Sequence, residues 1–229
     1  MTGYLNISEH FGPTIQGEGR HAGQVASFLR LAGCNLSCSW CDAAYTWDWS
    51  RYNHREEVKR APIEALAARL AAFPGRLVVT GGEPLLQAVA LESLMRHPDL
   101  TGRVWDLETN GTRPLRGTAS LWGHISCSPK VIPSAGQLPH GAGTLDPDIA
   151  AHPRADFKYV VADEVDLQAV SEHVTAHDLP PDRVWLMPEG TSSDTITART
   201  PRIAGWALDR GWNFTSRLHI YAWEDARGH

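Results

Sequence analysis

"GCNLSCSWCD", residues 33–42, sets Cys34, Cys38 and Cys41 in C-x3-C-x2-C spacing. Three of the chain's four cysteines therefore fall in one short loop. A structural zinc site takes four ligands and closes its shell. A four-iron cluster is held by cysteine thiolates, and three of them leave one iron open for an exogenous ligand. Spacing alone leaves two readings. One is a cluster whose missing fourth ligand is a substrate or cofactor position. The other is a zinc site completed by His21, His54 or the remote Cys127. Taken by itself, Cys127 reads as a small buried strand residue.

The elements around this loop decide the fold class. QVASFLRLAG (24–33) predicts a buried strand running into the cysteines. PIEALAARLAAF (62–73) predicts a helix, with Ile63, Leu66, Leu70 and Phe73 on one face, Pro62 opening it and Pro74-Gly75 closing it. Strands are predicted at 76–80, 103–108, 121–127, 155–161, 183–187 and 217–223, with helices at 84–97, 164–178 and 194–210. Residues 131–152, rich in Pro and Gly, read as a loop. Strands alternating with helices predict an α/β fold with a parallel sheet. The unusual residues follow strands: Cys34–Asp42, Gly81–Pro84, Glu108–Thr112, Ser128–Lys130 and Met187–Thr191. Active sites of such folds collect at the carboxyl ends of the strands. Five motifs at one rim predict an enzyme.

Composition excludes several other classes. The chain has 229 residues, 42% of them hydrophobic, enough for a full core without staples. A formal net charge of -5 is unlike the basic footprint of a general nucleic-acid or membrane-surface binder. There is no 18-residue apolar run. The start, MTGYLNISEHFG, lacks the pattern of a secretory signal. The expected location is the cytoplasm, where thiols stay reduced and clustered cysteines read as metal ligands or catalytic groups.

C-x3-C-x2-C followed, after the next strand, by GGEP resembles the radical S-adenosylmethionine (SAM) superfamily. FGPTIQGEG (11–19), FLRLAGCN (28–35), CDAAYTW (41–47), TGGEP (80–84), ETNGT (108–112), SPK (128–130), MPEGT (187–191) and RLH (217–219) occur in that order. Together they are similar to the 7-carboxy-7-deazaguanine synthase family over nearly the whole chain. The resemblance implies a partial (β/α)6 barrel: one radical SAM domain over residues 1–229, with the N-terminal segment and a C-terminal strand completing the substrate pocket. It implies a [4Fe-4S] cluster on Cys34, Cys38 and Cys41. SAM would lie along Trp40, Cys41, Asp42, Gly82, Ser128, Pro129 and Lys130. The pterin substrate would meet Ile15, Gln16, Gly17, Glu18, Arg30, Thr80 and His219. The family's reaction contracts the ring of 6-carboxy-5,6,7,8-tetrahydropterin with loss of ammonia, giving 7-carboxy-7-deazaguanine for queuosine or deazapurine biosynthesis. A 5′-deoxyadenosyl radical takes hydrogen from C6 of the substrate, and SAM is open to regeneration. The family also implies a homodimer and an electron donor such as a flavodoxin or ferredoxin.

Physical chemistry agrees with these roles. Arg30 offers bidentate pairing to a substrate carboxylate, and Glu18 suits the aminopyrimidinone edge of a pterin. One departure stands out. Relatives usually carry Thr or Ser after the Cys-Asp pair, where a hydroxyl helps hold Mg²⁺. This chain has Ala43, so the Mg²⁺ ligands are open, with Asp42 and Thr46 as candidates. Two alternatives remain: another radical SAM enzyme, such as a glycyl-radical activase, or a zinc-stabilised binding module without chemistry.

Overall fold

Along the central strands polar and apolar residues alternate, so each strand has a polar face and an apolar face. The structure, a computed structural model, describes residues 3–134 and 136–228. Its strands are β1 (Tyr4–Ile15), β2 (Val25–Leu31), β3 (Lys59–Pro62), β4 (Arg76–Gly81), β5 (Trp105–Thr109), β6 (Trp122–Cys127), β7 (Ala155–Val161), β8 (Val184–Pro188) and β9 (Asn213–Phe214). Its helices are α1 (His54–Glu57), α2 (Ile63–Ala71), α3 (Ala88–Met95), α4 (Pro147–Ala150), α5 (Glu164–Ala176), α6 (Ser193–Asp209) and α7 (Leu218–Trp223).

The strands form one sheet in the order β3-β1-β2-β4-β5-β6-β7-β8-β9. From β2 onward every pairing is parallel, while β1 runs antiparallel to both neighbours. The order is linear and the sheet does not close, as expected of a partial barrel. Leu107, Ile125, Phe157, Tyr159 and Leu186 point to the helical layer and share one core with Leu70, Leu91, Val170 and Ile203. Phe157, Trp122 and Tyr159 are fully enclosed. The other face of the same strands carries Asp106, Glu108, His124, Ser126, Asp156 and Lys158. A parallel sheet is usually apolar on both faces. Here the polar face turns inward and builds the site.

Most predicted elements stand within a few residues of their expected bounds, and 155–161 forms a strand over its whole length. Pro62 ends β3 and caps α2 instead of lying inside the helix. The predicted helix over 84–97 divides into a 3-10 turn at Pro84–Gln87 and α3. The long predicted loop contains α4. The main correction lies at 217–223, where the expected strand is α7. The Leu218 amide donates to the Gly17 carbonyl at 2.9 Å, which turns the backbone toward the N-terminal segment and away from the sheet. Ile220 then donates to Arg217 O and Glu224 to Ile220 O. Helix α7, not a strand, completes the C-terminal side of the pocket.

Candidate active site

The carboxyl ends of β2, β4, β5, β6 and β8 meet at one cavity of about 480 Å³. All five strand-end motifs contribute to it. Cys34, Cys38, Trp40, Cys41 and Asp42 come from the first loop, Gly81 and Gly82 from the second, and Glu108 to Asn110 from the third. Ser128, Lys130 and Met187 to Thr191, without Pro188, complete the rim. Ile15 to Glu18, Arg30, Thr80 and His219 line the same space. Pro129 does not line it, and serves as the link between two residues that do.

The GGEP segment holds the cysteine loop by direct backbone contact. Gly82 N–H donates to Leu31 O at 3.1 Å, and Glu83 N–H to Gly33 O at 2.8 Å. A Cβ on Gly82 would lie 2.2 Å from the Gly33 oxygen and 2.9 Å from Cys34 Cβ. Glycine is therefore required here for the close approach of two backbones. Glu83 is fully buried and ties the third loop to the second. Its carboxylate accepts from Thr109 Oγ1 at 2.8 Å and from the amides of Leu85 at 3.0 Å and Asn110 at 2.8 Å.

Burial pushes the Cys34 thiol up to about 11, and it raises Cys38 as well. Donors already face the sulfurs: Leu36 N–H and Trp47 Nε1–H each lie at 3.4 Å, from Cys34 and Cys41 respectively. Metal binding must deprotonate these thiols, and such donors stabilise the resulting charge. Among the described residues, the ligand atoms of His21, Asp106 and His124 lie within 4.8 Å of one another. The proposed fourth zinc ligands are elsewhere: His21 is in the trio named above, His54 packs edge-on against Trp49, and Cys127 is buried on β6. Burial pushes the Cys127 thiol strongly up, consistent with an inert strand residue.

Across the cavity, Glu18 is the centre of an ion cluster. It accepts from Lys158 Nζ and, at 2.9 Å, from Arg217 Nε. Arg217 also donates from Nη2 to Asp42 at 2.6 Å and from Nη1 to Gly190 O at 2.7 Å. Burial opposes the charge on Glu18, but Lys158, Arg217 and His219 hold its carboxyl well below the usual range. The His219 ring sits 3.9 Å from Glu18, and burial lowers its pKa. A Cβ on Gly17 would fall 1.9 Å from His219 Nδ1, so the glycine makes room for that ring. Gln16 completes this wall, donating from Nε2 to Glu108 at 3.0 Å and accepting from Glu18 N–H at 3.2 Å.

Arg30 is already engaged. Its Nε donates to Glu9 at 2.7 Å, and Tyr45 OH donates to the same carboxylate oxygen at 3.0 Å. Glu9 thus fixes the guanidinium from one edge. Thr46 is excluded as a cation ligand on the cavity: its hydroxyl is fully buried and donates to Ala43 O at 2.7 Å. The sequence placed Glu108 at the rim and Tyr45 and Arg217 in motifs without giving any of them a role, and Lys158 and Glu9 went unnamed. Lys158 and Glu108 carried a signal, being polar residues at every second position of otherwise apolar strands.

Three clustered cysteines and a glycine-rich backbone at the mouth of an open parallel half-barrel define a radical SAM-type iron–sulfur protein. The family described as "4Fe-4S single cluster domain" matches residues 15–107. The chain is 37% identical to a 7-carboxy-7-deazaguanine synthase of Pyrobaculum aerophilum, over 94% of this chain and 93% of that protein. It is 36% identical to the same-named protein of Hyperthermus butylicus, over 94% and 92%. The chain belongs to the 7-carboxy-7-deazaguanine synthase family. Among solved structures, QueE from Escherichia coli aligns with a TM-score of 0.69 at 26% identity, covering 94% of this chain and 95% of that one. SuiB from Streptococcus suis shares the fold, with a TM-score of 0.51 at 14% identity over 84% of this chain and 50% of that one.

Two predictions concern the cluster loop. Cys34→Ala, Cys38→Ala and Cys41→Ala should each bring the iron content of anaerobically reconstituted protein to background, whereas Cys127→Ala keeps it. Iron lost from Cys127→Ala and retained by Cys38→Ala would contradict the trio. Gly82→Ala forces a methyl group into the Gly33 carbonyl, a strain of about 1–3 kcal/mol. It should lower the melting temperature and weaken iron retention together, and an unchanged melt would show that the loop relaxes freely.

Proposed function

We propose that the chain acts as a 7-carboxy-7-deazaguanine synthase, converting 6-carboxy-5,6,7,8-tetrahydropterin to 7-carboxy-7-deazaguanine with loss of ammonia. The observation that carries this reading is one cavity with a cysteine trio on one wall and the Glu18 cluster and Arg30 on the others. Cys34, Cys38 and Cys41 would hold the cluster, which together with SAM would supply the radical chemistry. Trp40, Asp42, Gly82, Ser128 and Lys130 surround SAM; Lys130 donates to Ser128 Oγ at 3.0 Å, which sets both at the rim. Gly17 and Ile15 present backbone to the pterin, with Gln16, Glu18 and Thr80 beside it. His219, kept neutral by burial, offers one ring donor or acceptor. Arg30 pairs with the substrate carboxylate through the guanidinium edge that Glu9 leaves free. The chain's own contribution is orientation and the exclusion of water.

The product then serves queuosine or other deazapurine synthesis. A flavodoxin or ferredoxin as electron donor and a homodimeric assembly belong to the same proposal. Anaerobic incubation with SAM, a strong reductant and the carboxylated tetrahydropterin, followed by mass analysis, tests the reading. The expected result is the carboxylated deazaguanine plus ammonia. SAM cleavage without turnover of this pterin would favour another radical SAM reaction.

Arg30→Ala removes a charge-assisted pair worth about 1.5–3 kcal/mol, roughly a 10- to 140-fold rise in KM for the pterin. Iron content should stay at the wild-type level. Unchanged substrate affinity would reduce Arg30 to the structural partner of Glu9.

Mg²⁺ enters the proposal with a weakened site. Ala43 brings no side-chain oxygen and Thr46 is committed, leaving Asp42, substrate oxygens and water. Turnover should therefore respond to Mg²⁺ weakly or only at high concentration, and Ala43→Thr should steepen the response. Saturation of the wild type at low Mg²⁺ would contradict this, as would an Ala43→Thr titration identical to wild type.

A further inference from the structure

The inward faces of β5, β6 and β7 carry two layers of polar residues. The upper layer is Glu108, Ser126 and Lys158, which line the cavity. The lower layer, two residues earlier on each strand, is Asp106, His124 and Asp156. None of the lower three reaches the cavity, and all are buried. The segment 16–21 runs down across both layers. Gln16 and Glu18 pair with Glu108 and Lys158 above. Below, Arg20 grips Asp156 with two hydrogen bonds, Nε at 2.6 Å and Nη2 at 2.9 Å. His21 Nδ1 lies 3.1 Å from Asp106, and its ring meets His124 edge-on at 4.7 Å between centroids.

His21, Asp106 and His124 have ligand types and spacing suited to a cation. The surrounding charges argue against one. Arg76 forks onto both oxygens of Asp106, and Arg20 onto both oxygens of Asp156. His124 Nε2 also contacts Asp156, at 2.9 Å. Two carboxylates and two guanidinium groups balance without a metal, and a cation would have to displace an arginine fork.

We infer that Arg20 and His21 are positioning residues: locked to the lower layer, they fix the register in which Gln16, Gly17 and Glu18 face the substrate. Arg20 is four residues from Gln16 and two from Glu18, and the 3-10 turn Gly19–His21 joins the two layers. Gly19 N–H donates to Thr215 Oγ1 at 2.8 Å, which holds the middle of the run. If the lower contacts are lost, the segment keeps its upper contacts at Gln16, Gly17, Glu18 and Gly19 but has no anchor on the lower layer, and substrate must compete with its motion. The substrate-binding part of this inference rests on the proposed function; the lock itself does not.

The test uses the reconstituted holoenzyme. Arg20 is half exposed, its side chain 47% accessible, so Arg20→Ala is compatible with folding. The variant should raise the pterin KM about tenfold, the scale of one lost charge-assisted pair. Iron content and the KM for SAM should stay within about twofold, since no cluster-side contact is lost. Arg20→Lys should recover most of the loss. Asp156→Asn should mirror Arg20→Ala, and the double variant should be no worse than either single one. Hydrogen exchange of the amides in 15–24 should quicken in Arg20→Ala while exchange in 34–42 is unchanged. Unchanged exchange in 15–24 would overturn the lock. Faster exchange with an unchanged pterin KM would overturn the positioning role. Failure of the functional reading shows separately, as a wild type that does not turn over the pterin; exchange then decides the lock alone.

Discussion

Arg217 is the side chain on which the two halves of the cavity depend. Its guanidinium joins Glu18 of the N-terminal segment, Asp42 of the cysteine loop and the Gly190 carbonyl after β8. Those three groups come from distant parts of the chain. Lys158 from β7 meets the same Glu18. Enclosing such charges is costly unless each is paired and hydrogen-bonded. Here two carboxylates face two cations, so the cluster is stable only when all four segments are in place. A geometry in which the wall of the N-terminal segment and the wall of the cysteine loop are set against each other follows from that constraint.

The polar face of the half-barrel extends the same principle. Helices cover one side of the sheet with a continuous apolar core. The inner side cannot be filled that way, because it must present polar groups to a polar ligand. It is filled by the chain's own N-terminal segment, whose side chains pair with successive inward residues of β5 and β7. Glycine enters where backbones must touch: Gly82 against Gly33, and Gly17 under the His219 ring. The cavity is what remains above this plug.

Much of this was legible in the sequence. Alternating strands and helices gave the class, and the five strand-end motifs do converge on one cavity. The trio of cysteines and the separate, buried character of Cys127 were also readable. Other features depend on tertiary contacts. RLHIYAW alternates like a strand, yet the Gly17 carbonyl captures its first amide and it coils into α7. Arg217 looked like a neighbour of His219, and only the fold brings it to Asp42. The partner of Arg30 is hidden in the sequence because Glu9 lies on β1, whose strand pattern Gly12-Pro13 interrupts. The inward row Asp106, Glu108, His124, Ser126, Asp156 and Lys158 was visible as a period of two. Its meaning required knowing which face of the sheet the helices cover.

The central claim is that this cavity holds C6 of the carboxylated tetrahydropterin within reach of the radical centre. Substrate carrying deuterium at C6 tests it most directly, with the label followed by mass spectrometry during anaerobic turnover. The account predicts deuterium in the adenosyl group of recovered SAM or of 5′-deoxyadenosine. Product formation with no label entering either molecule would contradict it.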